Sequence, residues 1–178
     1  MAVVKIWGDG KIAEILPAIC KKFGFEKYVC ARGDLRIGEF AGNPAARSGL
    51  LAYTGAMLEG PAPDILLVEG CAEEGSVSDS EKAQTIIADL ESAKKIAGVK
   101  PGTQIITCGR SEKDTLSLSS AGADEWLAEL RREIMDVGGK TVPECEIKLP
   151  MADSPAYMEE ETSVLKALAA LICAGALF

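Results

Sequence analysis

Residues 3–13 read VVKIWGDGKIA, and this stretch decides the fold class. The apolar, β-branched run at 3–7 predicts a buried strand, and the two glycines after it predict a tight turn. Apolar residues then recur at helical spacing over 12–23, which predicts a helix that ends at Gly24. A strand, a glycine turn and a helix in this order form the start of a βα unit.

Further apolar runs continue the alternation of strands and helices along the chain. The run at 64–69, DILLVE, has four consecutive apolar residues, as expected of a parallel strand covered on both faces. The other predicted strands are at 28–31, 104–108, 115–119 and 145–149, and the other predicted helices are at 43–57, 78–96, 126–134 and 163–177. We therefore predict a three-layer α/β/α sandwich around a mostly parallel sheet of five or six strands, Rossmann-like or flavodoxin-like in kind.

The length and composition are those of one globular domain. The 178 residues are 48% hydrophobic and 26% charged, which is too apolar for a disordered chain. We predict a single α/β domain over 1–178, with residues 156–178 as a C-terminal helical extension. The uncharged run at 167–178 is shorter than the roughly 20 residues of a membrane-spanning helix. Its apolar surface predicts a homodimer through the C-terminal helix, formed by Leu165, Leu168, Leu171, Ile172 and Phe178.

Charge and residue counts exclude several classes of function. With 19 basic and 27 acidic residues the net charge is −8, which argues against nucleic-acid and membrane-surface partners. The chain has no histidine, so Ser-His-Asp and Cys-His catalysis and imidazole-based metal sites are excluded. The amino terminus lacks a signal-peptide pattern, and reduced cysteines in the cytoplasm are expected. Whether the chain is an enzyme stays open at this point.

Residues 8–13, GDGKIA, fit the pattern G-x-G-x-x-A directly after a predicted strand. The first 34 residues resemble the start of Rossmann-type dinucleotide-binding domains. The resemblance implies that Gly8, Gly10 and Ala13 form a phosphate-binding turn, with Lys11 opening the helix. The alternative is a plain strand-to-helix turn without a ligand.

Two positions depart from that pattern. Asp9 places a carboxylate where a phosphate would approach, and Arg32 stands where the resemblance would place an acidic residue. An arginine there suits a ribose 2′-phosphate, so NADP is favoured over NAD among dinucleotides. Arg110 and Lys113, after the strand at 104–108, are the anion contacts expected on the far side. The leading interpretation is a protein that binds NADP or another nucleotide as a small-molecule ligand.

Three cysteines give the alternative interpretation. Cys30, Cys71 and Cys108 each fall at or just after the carboxyl end of a predicted strand. Thiolates at one sheet edge would hold an iron–sulfur cluster or a soft metal, or form a redox pair, as in a metal or cluster accessory protein. Simple packing of buried cysteines is the other explanation. A non-catalytic interaction subunit that presents its last helix to a partner is a third interpretation.

Glu69 ends the strand at 64–69 and is the remaining candidate metal ligand. The phrase Val68-Glu69-Gly70 is similar to a strand end of dethiobiotin-synthetase-like and cobyric-acid-synthase-like P-loop proteins, in which the glutamate lies near nucleotide and metal. The P-loop pattern G-x-x-x-x-G-K-[ST] does not occur in the chain. With the acidic residues that follow it, Glu69 would hold Mg²⁺ beside a phosphate; a solvated acidic loop is the alternative.

Overall fold

The architecture is seen in a computed structural model. It describes residues 2–8, 11–24, 28–32, 35–39, 50–54, 62–70, 80, 82–151 and 160–177, with the backbone alone for 28–54. The helices are α1 (Lys11–Lys22), α2 (Leu90–Lys95) and α3 (Glu161–Cys173). The strands are β1 (Ala2–Trp7), β2 (Tyr28–Arg32), β3 (Leu35–Glu39), β4 (Leu50–Thr54), β5 (Ile65–Val68), β6 (Thr85–Ala88), β7 (Gln104–Gly109), β8 (Leu116–Ala121), β9 (Glu125–Leu130), β10 (Ile134–Met135), β11 (Thr141–Val142) and β12 (Cys145–Pro150).

The described strands form one large, mostly parallel sheet and a small ribbon. The sheet order is β12-β9-β8-β7-β6-β5-β1-β4-β2-β3, and the ribbon joins β10 to β11. In the order of the sheet, each strand from β8 through β7, β6, β5, β1 and β4 to β2 pairs in parallel with the next. This part of the sheet therefore has seven parallel strands. The strands β3, β9 and β12 pair antiparallel at the two ends. The predicted α/β class with a mostly parallel sheet is confirmed.

The central strands are buried on both faces. All four residues of β5 and all four of β6 are buried. Alternate side chains therefore enter different layers. Leu67 and Ile87 belong to the larger apolar core, which contains α1 and α3, while Leu66 and Ile86 belong to a smaller core beside α2. Complete burial of such an aliphatic side chain is worth about 1.5–3 kcal/mol, so these strands anchor the fold.

Helix α3 is a core element of the domain. It packs on α1 and on strands β5 to β8, and every residue from Val164 to Cys173 is buried. The predicted homodimer rested on exposed apolar residues of this helix. Leu165, Leu168, Leu171 and Ile172 are instead buried within the chain, and Phe178 lies outside the described residues. Four of the five residues from which the homodimer is predicted are therefore covered within the chain, and the homodimer itself stays a prediction. None of the described helices is long and apolar enough to cross a membrane.

Three predicted helices are wrong in whole or in part. The described part of 43–57 is the strand β4, and the described part of 78–96 contains the strand β6 followed by the short helix α2. The predicted helix at 126–134 is the strand β9, paired on both sides with β8 and β12. The strand count of five or six is too low mainly for the same reason: β4, β6 and β9 come from segments predicted as helices, and the edge strand β3 was not predicted.

Candidate functional site

The chain reverses direction across the sheet between β1 and β5. From β1 it continues through α1 to β2 on one side, whereas from β5 it continues to β6 on the other side. In open α/β sheets, ligands bind outside the carboxyl ends of the strands at such a point. Here that place is formed by Gly8 after β1, Glu69 after β5, and Lys11 and Ile12 at the start of α1; we call it the switch-point site.

Gly8 and Glu69 pack directly against each other in the switch-point site. The Glu69 backbone N–H donates to the Trp7 carbonyl over 2.8 Å, which holds the two strand ends together. Gly8 has φ +147°, and a β-carbon on residue 8 would overlap the Glu69 side chain. A glycine is therefore required here both by the backbone conformation and by the close approach of Glu69.

The Glu69 carboxylate lies against the amino terminus of α1. Glu69 as a whole residue is only 6% exposed, and its Oε1 accepts a hydrogen bond from the Ile12 backbone N–H. The first N–H groups of a helix have no partner within the helix and favour a negative charge. The carboxylate thus occupies the position that an oxyanion ligand would take. The acidic residues predicted to hold Mg²⁺ together with Glu69, which are Glu73, Glu74 and Asp79, lie outside the described residues.

Two predicted cations are linked to the start of α3. The Lys11 ammonium lies 3.3 Å from Glu160 Oε1. The Arg110 guanidinium binds Glu161 in a bidentate manner, with Nε to Oε2 at 2.6 Å and Nη2 to Oε1 at 2.5 Å. The hydrogen bond from Arg110 lowers the pKa of Glu161. Lys11 near the end of β1 and Arg110 after β7 therefore contact two adjacent residues at the start of α3.

A buried ion pair lies beside the switch-point site. Lys166 of α3 is 3% exposed and donates to the Val68 carbonyl over 2.8 Å and to Asp89 Oδ2 over 2.9 Å. Asp89 also caps α2, because its Oδ1 accepts from the Ser92 N–H over 2.8 Å. Burial opposes the charge on Asp89, but the bonds from Ser92 and Lys166 outweigh it and keep its pKa below the usual value. Sequence reasoning missed this pair; the only signal was a single cation within an apolar helix.

The cysteine site does not assemble as predicted. Cys108 is 1% exposed, and burial raises the pKa of its thiol, which the nearby Lys166 opposes only in part. Cys30 lies on β2, five strand positions from β7, or about 24 Å at the usual strand spacing. One ion cannot bind both residues across that distance, and Cys71 lies outside the described residues. In the described ranges, no group of three or more His, Cys, Asp or Glu side chains could hold a metal ion.

Of the remaining predicted residues, Ala13, Lys113 and Arg32 are described. Ala13 is buried in α1, Lys113 is exposed on the loop after β7, and Gly10 lies outside the described residues. Arg32 is the last residue of β2, where its backbone pairs with Thr54 of β4. Because β4 separates β2 from β1, the backbone of Arg32 lies two strand spacings, about 10 Å, from β1.

Comparison with known proteins finds similarity in structure alone. No protein-family model and no curated protein matches the sequence. A murein peptide ligase of Psychrobacter arcticus 273-4 superposes with a TM-score of 0.62 and 9% identity, over 98% of this chain and 46% of that one. The UDP-N-acetylmuramoylalanyl-D-glutamyl-2,6-diaminopimelate–D-alanyl-D-alanyl ligase of Acinetobacter baumannii superposes with a TM-score of 0.55 and 10% identity, over 98% of this chain and 43% of that one.

The present chain spans less than half the length of either ligase. At 9% and 10% identity the likeness concerns the fold and not the activity. It extends over nearly the whole chain, including the region of the switch-point site. The chain therefore shares the Rossmann-like α/β arrangement found in part of these two ligases.

Proposed function

We propose that the chain binds a nucleotide at the switch-point site. The observation that carries the proposal is the anion-binding position at the start of α1. There the Ile12 N–H donates a hydrogen bond to the Glu69 carboxylate. Phosphate groups bind to helix amino termini through the same backbone groups. The site also lies where open α/β sheets bind their ligands. The name of the Acinetobacter neighbour includes a UDP-linked compound, which agrees with a nucleotide as the ligand class.

The cations near the site would contact the phosphates. Lys11 and Arg110 are 59% and 65% exposed and are held by Glu160 and Glu161. Exposed ion pairs of this kind contribute only about 0–1 kcal/mol, so a phosphate can replace the glutamates at little cost. Lys113 on the same loop as Arg110 would add a further positive charge. Glu69 must leave the Ile12 N–H when a phosphate binds there, and it therefore competes with the ligand.

The order of the strands favours a mononucleotide over a dinucleotide as the ligand. A dinucleotide that uses Arg32 would have to span β4 to reach the end of β2. If a dinucleotide does bind, Arg32 favours NADP over NAD, since its positive charge suits a 2′-phosphate. We therefore expect UDP and ATP to bind more tightly than NADPH, and NADPH more tightly than NADH.

Thermal unfolding with these four nucleotides tests the proposal. A ligand at 100 times its dissociation constant stabilises the folded state by about 2.7 kcal/mol. For a chain of this size, that corresponds to a rise in Tm of roughly 5–10 °C. Lys11→Met should reduce the rise, whereas Lys148→Met should not, because Lys148 is an exposed lysine on the distant strand β12. Absence of a shift with all four nucleotides would refute the proposal.

Glu69→Gln tests whether the carboxylate and the ligand share one position. The amide keeps the size of the side chain but removes the negative charge that repels a phosphate. We expect the affinity for the bound nucleotide to increase about tenfold, equivalent to about 1.4 kcal/mol. The matched control is Glu146→Gln on the exposed edge of β12, which should leave the affinity unchanged. Weaker binding by Glu69→Gln would show that the glutamate assists the ligand instead of competing with it.

A further inference from the structure

We infer that two copies of this chain associate through the free edge of β12 and so form one continuous sheet. β12 is the last strand of the large sheet, and within the described residues only β9 pairs with it. No backbone hydrogen bond in the described part of the chain reaches its other side. A strand edge of this kind presents free N–H and C=O groups with which a further strand pairs. We call it the β12 edge; it is a different surface from α3.

The residues that point outward from the β12 edge follow from the hydrogen bond after the strand. The Met151 N–H donates to the Asp124 carbonyl over 2.7 Å, which continues the ladder between β12 and β9 by one residue. Backbone groups of successive strand residues point to opposite sides, so the odd-numbered residues of β12 bond β9. Glu146, Lys148 and Pro150 therefore face outward. The proline fits this position, because it has no N–H and lies in sheets at outward positions of edge strands.

The charges of the β12 edge select one register for two copies. In an antiparallel pair centred on Ile147, Glu146 lies opposite Lys148 of the second copy, and Lys148 lies opposite Glu146 of the second copy. A shift of the partner by two residues sets Glu146 against Glu146 in one direction and Lys148 against Lys148 in the other. Only the centred register gives both residues a partner of opposite charge. Its two-fold symmetry is that of the commonest homodimers.

Within one chain, Glu146 lacks the cation that a second copy would supply. It is exposed and lies directly across from Glu129 of β9, which is also acidic. Among the described residues no cation forms an ion pair with Glu146, and Arg131 instead binds Glu129 over 2.8 Å. Lys148 lies 3.6 Å from Glu125 Oε1, and its side chain is 74% exposed. Since an ammonium group has three donors, Lys148 can keep Glu125 and bind the carboxylate of a second copy as well.

The centred register also continues the apolar side of the sheet. Ile147 is a member of the larger core and lies on the opposite face from Glu146 and Lys148. It pairs with Ile147 of the second copy without a direct hydrogen bond, the arrangement in which facing side chains approach most closely. The apolar layers of the two copies therefore meet at the symmetry axis. One short strand from each copy makes a small interface, so we expect a reversible dimer with a dissociation constant in the micromolar range.

Sedimentation velocity of the full chain over a range of concentrations tests the dimer. Glu146→Lys and Lys148→Glu should each weaken it about thirtyfold, because both cross-strand pairs become like-charged. Glu91→Lys is the matched control, since it reverses an exposed carboxylate on α2, and it should leave the dimer unchanged. Circular dichroism should show that each variant is folded, because these side chains are exposed. A parent chain that stays monomeric up to about 500 µM would refute the dimer.

A mixture of the two weakened variants distinguishes the β12 edge from any other interface. In a dimer of Glu146→Lys with Lys148→Glu, every facing pair again has opposite charges, so the mixture should associate as tightly as the parent chain. The double variant Glu146→Lys/Lys148→Glu should also dimerise like the parent chain. A dimer that is unchanged in Glu146→Lys, or a mixture that associates no better than either variant alone, would overturn the β12 edge as the interface.

Discussion

At the scale of single residues, Gly8 determines how closely the ends of β1 and β5 approach. Its positive φ and its contact with Glu69 are two separate constraints on the same position. Gly24 has a less restrictive φ of +67°, and among the described residues no atom beyond its neighbours in the chain lies within 4 Å of the position of a β-carbon. The two glycines therefore compare an ordinary left-handed turn with a position that combines a φ open almost only to glycine and a close contact.

Gly8→Ala should destabilise the fold by about 3 kcal/mol, because it adds overlap with Glu69 to backbone strain. Gly24→Ala should cost only about 1 kcal/mol, the usual penalty for a left-handed alanine. Urea unfolding of both variants measures the difference. If the two substitutions destabilise the chain equally, neither the contact with Glu69 nor the more restrictive φ of Gly8 adds to the cost.

Single residues also show what the sequence could reveal about the site. Gly8, Glu69 and Arg110 could be placed at one sheet edge because each follows an apolar run that is in fact a strand. The ion pair between Asp89 and Lys166 could not be predicted. Its members are 77 residues apart, and their contact depends on where α3 crosses the sheet. The position of a helix over a sheet depends on packing and not on any local pattern.

At the scale of elements, the segment at 125–130 shows how an apolar pattern can satisfy two periods. Trp126 and Leu130 are four residues apart, which suits a helix, and they also lie on one face of a strand. The segment forms β9, in which Trp126, Ala128 and Leu130 are buried. Hydrogen bonds to β8 and β12 decide the outcome, since a strand with partners on both sides leaves few backbone groups unpaired.

The segment at 85–95 illustrates a second ambiguity. Its run of four buried residues, TIIA, fits a short parallel strand as well as the inner face of a helix. The chain changes from strand to helix at Asp89, whose side chain accepts a hydrogen bond from one of the free N–H groups of α2, that of Ser92. Asp89 thus ends β6 and begins α2, and it carries the ion pair with Lys166.

Asp89→Asn should destabilise the chain by about 2 kcal/mol near neutral pH. Asparagine retains the cap, but it removes the charge that faces buried Lys166, and such a loss in a fully buried pair costs about 3–5 kcal/mol. The folded-state pKa of Asp89 is lowered, so its stabilisation is complete above the ordinary aspartate pKa and is lost as the pH falls through the folded-state pKa. The difference between the two proteins should therefore shrink in acid, as measured by urea unfolding at several pH values.

A double-mutant cycle with Lys166→Met provides the control for this prediction. The double variant should be less destabilised than the sum of the two single variants, because no unpaired charge remains buried. Strict additivity would mean that Asp89 and Lys166 do not interact energetically, and a pH-independent loss in Asp89→Asn would exclude the charge as the cause.

At the scale of the whole molecule, the larger apolar core extends across five parallel strands, β1, β5, β6, β7 and β8. The larger core includes Cys20 of α1, Cys108 of β7 and Cys173 of α3, each no more than 1% exposed. If the chain is a single domain, as predicted, α1, β7 and α3 should unfold together. The sequence predicted a parallel sheet correctly, but strand order could not be derived from it, since the order depends on which crossovers bury the most surface.

Three buried cysteines in the described part of the chain, Cys20, Cys108 and Cys173, allow the cooperativity of this core to be measured. The thiolate is the reactive form, and burial, with the charge of Asp136, raises the pKa of Cys173 to about 12. Burial likewise raises the pKa of Cys108. Alkylation in increasing urea, followed by mass spectrometry of the peptides, should modify Cys20, Cys108 and Cys173 at the same rate, set by global unfolding. The half-buried Cys145 should react sooner and serves as the internal control. Modification of Cys20 at lower urea than Cys108 would divide the chain into two unfolding units and contradict the single domain.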